Sequence, residues 1–93
     1  MDNHAEAEKF VYDNHSFFSS LADRWQDEQE YEDWQEYVNA AKKKIEASQL
    51  IFVKLKKHPL SCVFRPDKSR NVEYHLVVTK NKVRLDICEI VNN

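Results

Sequence analysis

Side chains able to do chemistry are plentiful in this chain, and their spacing narrows what that chemistry is. The stretch "DRWQDEQEYEDWQE", Asp23 to Glu36, carries seven carboxylates, and Lys42, Lys43 and Lys44 follow it. A calcium loop needs oxygen ligands at alternating positions with a glycine at the bend, and this stretch supplies neither. The whole sequence contains no glycine. Phosphate-cradling loops need glycine because the backbone must approach the ligand at positive φ. The Walker loop, the dinucleotide fingerprint and the nucleophile elbow are therefore excluded in their standard forms. His4, His15, His58 and His75 share no metal-ligand spacing with one another or with Cys62 and Cys88. His75, expected to face Asp86 across a hairpin, is the nearest approach to an acid–base pair, with Ser61 or Cys62 on a neighbouring strand. Nothing supplies an oxyanion hole, so a nucleophile there has no way to stabilise its intermediate. The patterns predict no metal, no cofactor and no enzyme.

Binding is what the remaining charge suggests. Up to Glu46 the chain has 12 acidic residues against 5 basic, and from Ala47 onward 4 against 9, so a net charge of −2 hides an acidic half and a basic half. Asp27, Glu28, Glu30, Asp33 and Glu36, with Tyr31 and Tyr37, form an aromatic band rimmed by acids, a composition suited to a protein interface. Like charges at i, i+4, as at Asp23 and Asp27 or Glu28 and Glu32, cost about 0.2–0.5 kcal/mol per pair, so helices tend to avoid stacking them. Acids early and lysines late in one helix also complement its dipole. The alternative surface is basic: Lys54, Lys56, Arg65, Arg70, Lys82 and Arg84 fall on strands and turns, and a basic sheet face is one way small domains hold RNA.

These residues must be positioned by elements that the apolar pattern reveals. Phe10, Val11, Phe17, Phe18, Leu21 and Trp25 recur at helical spacing. The turn-like "DNHS" divides this segment in two, with Ser16 expected to cap the second part. A further break is expected at Asp27, where Asp27 and Glu30 have capping-box spacing. Beyond it Tyr31, Trp34, Val38, Ala41 and Ile45 form a core stripe, which leaves Tyr37 off the stripe. After Ser48 the period changes. "LIFVKLKK" reads as a strand apolar on both faces at its start, as a central strand would be. A short strand around Cys62 to Arg65 follows, ended by Pro66. "VEYHLVVTKNKVRLDICEIV" reads as a hairpin turning at Lys80-Asn81, with Val78 opposite Val83, Leu76 opposite Leu85 and Tyr74 opposite Ile87 on the core face. His75 then faces Asp86, and Val77 faces Arg84.

The expected fold is α+β: a single domain over 1–93, residues 1–48 helical and 49–93 an antiparallel meander of four strands, with the helices on one sheet face. No apolar run approaches the roughly 18–20 residues that span a bilayer, and the acidic start is unlike a signal peptide, so no membrane partner and a cytoplasmic setting are expected. Cys62 and Cys88 are read as reduced thiols on strands. "YEDWQEYVNAAKKK" followed by "LIFVKLKK" resembles the helix-to-strand opening of a small Alu-domain subunit of the signal recognition particle, a family that binds RNA with its sheet. The chain departs from that pattern in its long N-terminal helical segment and its final strand. The leading reading is a small non-enzymatic interaction module, accessory or inhibitory, that binds a protein through its acidic aromatic helical surface. RNA binding by the basic sheet is the alternative, and homodimerisation through the aromatic band or a sheet edge is compatible with either.

Overall fold

The computed structural model describes residues 4–27, 31–57, 60–79 and 82–90, with side chains described outside 22–33. Three helices precede four strands: α1 (Ala5–Asp13), α2 (His15–Asp27), α3 (Tyr31–Ala47), β1 (Ile51–Lys57), β2 (Leu60–Arg65), β3 (Val72–Val78) and β4 (Val83–Glu89). The sheet is an antiparallel meander in the order β1-β2-β3-β4. The α+β class and the helices-first arrangement are as the sequence predicts.

The first helical segment divides at Asn14, within the turn-like cluster, and not through a cap at Ser16. Ser16 is the second residue of α2, because the hydrogen-bond ladder runs through the bend: Asn14 N–H donates to Phe10 O at 3.0 Å and Phe18 N–H to Asn14 O at 3.2 Å. The Asn14 side chain also donates to Phe10 O, at 2.9 Å. The bend lets Ala7 and Phe10 of α1 and Phe18 and Leu21 of α2 turn to one core; all four are buried. α2 is described to Asp27 and α3 from Tyr31; the expected break, with Glu30 as the capping partner of Asp27, falls on residues outside the described set.

α3 ends in a Schellman motif. Leu50 N–H donates to Ile45 O at 3.1 Å and Gln49 N–H to Glu46 O at 3.0 Å, while Gln49 takes the left-handed conformation at φ 64°. Ile45 and Leu50, the hydrophobic pair that commonly accompanies such an ending, are both in the core. The chain leaves directly into β1.

β1 is an edge strand, not the central one its apolar start suggested. Its apolar residues Phe52 and Leu55 are partly buried against the core, whereas Lys54 is exposed. The central position next to it belongs to β2, buried from Leu60 through Phe64. Pairing shifts by one between Phe52 and Lys54, so Val53 forms a bulge and is exposed. The hairpin register is the one read from the alternation: Val78 opposite Val83, Leu76 opposite Leu85, Tyr74 opposite Ile87, His75 opposite Asp86 and Val77 opposite Arg84. Thr79 and Lys82 exchange hydrogen bonds across the turn, whose two residues lie outside the described set.

The helices cover the face bearing Leu60, Cys62, Phe64, Tyr74, Leu76 and Val78. α3 lies against β1, and α2 against β3 and β4. α1 reaches the middle of the sheet, where Phe10 and Phe64 pack with ring centroids 5.1 Å apart and His4 Nδ1 sits 3.1 Å from the Tyr74 hydroxyl. Coverage thins at β4: Val83 and Leu85 are partly buried, but Ile87, expected in the core, is 45% exposed.

Candidate interaction surfaces

The residues expected to form an acidic surface fall in α2, in α3 and between them. Asp27 lies in α2, and Tyr31 and Asp33 lie in α3, all three with side chains outside the described set; Glu28 and Glu30 lie outside the described residues altogether. Glu36 projects from α3 into solvent. Tyr37 does not behave as its place off the stripe predicted. It is half-buried against the core, because α2 packs beside α3 and gives that helix a second side to bury. Trp34 is also packed on the core, and Lys57 Nζ lies 5.2 Å from its ring centroid.

Between the two helices lies a groove that sequence reasoning missed, lined by Ser16, Phe17, Ser20, Leu21 and Tyr37. Lys44 Nζ stands 4.9 Å above the Phe17 ring, close enough for the charge to interact with it. The signal was present in the i, i+4 spacing of Phe17 and Leu21, but periodicity assigns both to the core and does not say that Phe17 is left partly open beside a neighbouring helix.

The basic residues are dispersed across the sheet. On the face turned away from the helices, one cross-strand row runs Lys54, Val63, His75, Asp86 and the next Lys56, Ser61, Val77, Arg84. Val63 and Ser61, in the middle of these rows, are buried. Acids interrupt the positive charge: Arg84 forks onto Asp86 with three N–H to oxygen distances of 3.0–3.2 Å, and His75 Nε2 lies 2.9 Å from Glu73 Oε1. The expected His75–Asp86 pairing holds as register but not as a contact, since each residue takes a partner two positions along its own strand. Arg65 Nη2 donates to Arg70 O at 2.8 Å, and Arg70 Nε to Asp67 Oδ2 at 2.9 Å. Both arginines are thereby engaged in shaping the β2–β3 loop. Among the described residues no ion pair involves Lys54, Lys56 or Lys82, and these stand at opposite edges of the sheet.

Asp67 organises that loop. Its Oδ1 accepts from Ser69 N–H, Ser69 Oγ–H and Arg70 N–H, at 3.0, 2.9 and 2.9 Å. The Arg70 backbone and side-chain bonds, with the Ser69 hydroxyl, hold the carboxyl down at about 2, below its ordinary 3.8. Cys62 and Cys88 are both free. They sit on opposite faces of non-adjacent strands, Cys62 opposite Leu76 and Cys88 opposite Glu73, which rules out a disulfide between them. Burial pushes the Cys62 thiol up to about 12, the reverse of what a nucleophilic cysteine needs. Among the described residues no group of three His, Cys, Asp or Glu side chains is placed to hold a metal ion, and no helix is long and apolar enough to cross a membrane.

No protein-family model matches the chain, and comparison with curated proteins and with solved structures finds no match either. The short resemblance to the signal-recognition-particle subunit therefore carries no further argument.

Proposed function

We propose that this chain is a non-enzymatic protein-binding module whose working surface is the α2–α3 groove with the acidic residues beside it. Its partner is a basic segment bearing an apolar anchor side chain. The observation that carries this reading is the groove of Phe17, Leu21 and Tyr37, with exposed Glu36 one residue from Tyr37. An apolar floor suits an apolar anchor, and the helical half of the chain, with 12 acids against 5 bases, favours a ligand of the opposite charge. Two free cysteines, one exposed, support a cytoplasmic setting. The RNA reading is weaker because Arg65, Arg70 and Arg84 already have partners and the lysines lie apart.

Titration of the labelled protein, followed by amide NMR, separates the two. A synthetic amphipathic lysine–leucine peptide is expected to shift Phe17, Leu21, Glu36 and Tyr37, and Glu36→Lys to weaken it. Oligouridylate at low salt is expected to shift nothing. If the RNA instead moves Lys54, Lys56 and Lys82 with an affinity that falls steeply in salt, the protein-binding reading loses its basis.

A further inference from the structure

The two edges of the sheet are built differently. β1 carries a bulge at Val53 and three lysines, Lys54, Lys56 and Lys57, features that discourage another strand from pairing with it. β4 has no bulge in its pairing with β3, and its sequence VRLDICE contains no lysine and no proline. Among the described residues no strand lies beyond β4.

Hydrogen-bond parity tells which residues face outward. Thr79 and Lys82 exchange both bonds, at 2.8 and 3.4 Å, and Ile90 N–H donates to Asn71 O at 2.9 Å. Opposed residues of an antiparallel pair alternate between bonded and non-bonded sites, so Arg84, Asp86 and Cys88 bond back to β3. Val83, Leu85 and Ile87 therefore turn their amides and carbonyls away from the sheet. The same three residues place apolar side chains on the helix-bearing face.

We propose that β4 pairs antiparallel with β4 of a second copy of this chain, about a two-fold axis at Leu85, joining two four-stranded sheets. In that register Leu85 faces Leu85 of the second copy and Val83 faces Ile87, an apolar strip that covers the exposed Ile87. Arg84 faces Asp86 of the second copy, twice by symmetry, at non-bonded sites where Cα atoms approach to about 4.5 Å. The in-strand Arg84–Asp86 pair is exposed, with side chains 67% and 43% accessible, so the guanidinium is free to bridge to either carboxylate. Charge selects the axis. Moving it to Asp86 sets that carboxylate against itself, and moving it to Arg84 does the same with guanidinium groups. An axis at a half-step is excluded, because opposed residues must share a sheet face.

Sedimentation and light scattering across micromolar to millimolar concentrations test the association. Wild type is expected to reach twice the monomer mass. Arg84→Asp and Asp86→Arg, each of which sets like charges opposite one another, are expected to raise the dissociation midpoint by roughly an order of magnitude or more. The double variant, Arg84→Asp with Asp86→Arg, inverts both pairs and is expected to restore the dimer. Register has a separate readout: Cys88 faces Lys82 of the second copy, both exposed, whereas within one strand they are about 20 Å apart. A short cysteine–lysine crosslinker is therefore expected to yield a covalent dimer joined Cys88 to Lys82. A monomer at every concentration, or single variants that dimerise as wild type does, overturns the proposal. So does a double variant that stays monomeric, or a crosslink at another position.

Discussion

Four donors converge on Asp67, and this residue gives the chain its clearest pH dependence. The Ser69 and Arg70 backbone amides, the Ser69 hydroxyl and the Arg70 guanidinium all bond its carboxylate. Because they favour the charged form, the folded carboxyl titrates at about 2 and not at its ordinary 3.8. The sign follows from linkage. A depressed folded value means the loop's contribution to stability is whole above about 3.8 and is lost as pH falls from there through about 2. Carboxyl chemical-shift titration is expected to place the Asp67 midpoint near that low value in wild type. Arg70→Ala, which removes the guanidinium bond but keeps the residue-70 amide and the Ser69 bonds, is expected to move the midpoint part of the way back toward the ordinary range. An unmoved midpoint would show that the arginine does not hold it. None of this was legible from "RPDKSRN" beyond a polar loop after Pro66. Asp67 and Arg70 are three apart, and only the turn that Asp67 itself closes brings them into contact. The same limit applied to His75 and Asp86: alternation placed them opposite each other correctly, but rotamers decided that each bonds along its own strand.

At the level of elements, what could be read was what two independent signals specified together. In the β3–β4 hairpin the turn position and the apolar alternation demand one register, and that register is present. β1 had a single signal, its apolar start, which an edge strand produces as readily as a central one when the helix α3 packs on it. The ending of α3 left no signal at all, because a left-handed residue is normally announced by glycine and here Gln49 takes that role. A side chain with a Cβ in this conformation costs about 1–2 kcal/mol relative to right-handed geometry. Gln49→Gly is therefore expected to raise the unfolding free energy by about 1 kcal/mol, part of the gain being offset by the greater freedom of glycine in the unfolded chain. Urea denaturation reads this as a higher midpoint with unchanged slope. A lower midpoint would mean that Gln49 contributes contacts worth more than its backbone strain.

For the molecule as a whole, the question is whether α1 belongs to the domain or only rests upon it. Composition could not answer, since Ala7, Phe10 and Val11 read equally well as a short peripheral helix. The packing gives the answer: Phe10 is buried, packs against Phe18 of α2 and Phe64 of β2, and so ties both helical segments to the central strand. Small domains hold only about 5–15 kcal/mol of stability, and truncating a buried phenylalanine to alanine costs about 3–5 kcal/mol. Phe10→Ala is thus expected to remove a large share of the total. It does so at one site on the first helix, yet its effect is expected throughout, because the core cluster runs without interruption from Ala7 to Val78. Far-ultraviolet circular dichroism and tyrosine or tryptophan fluorescence should move together to a lower melting temperature, as one cooperative unit requires. If the helical signal is lost while the sheet and its aromatic environment keep the wild-type transition, α1 is an appendage on a smaller folding unit. The α2–α3 groove would then stand on a scaffold that does not need the first helix.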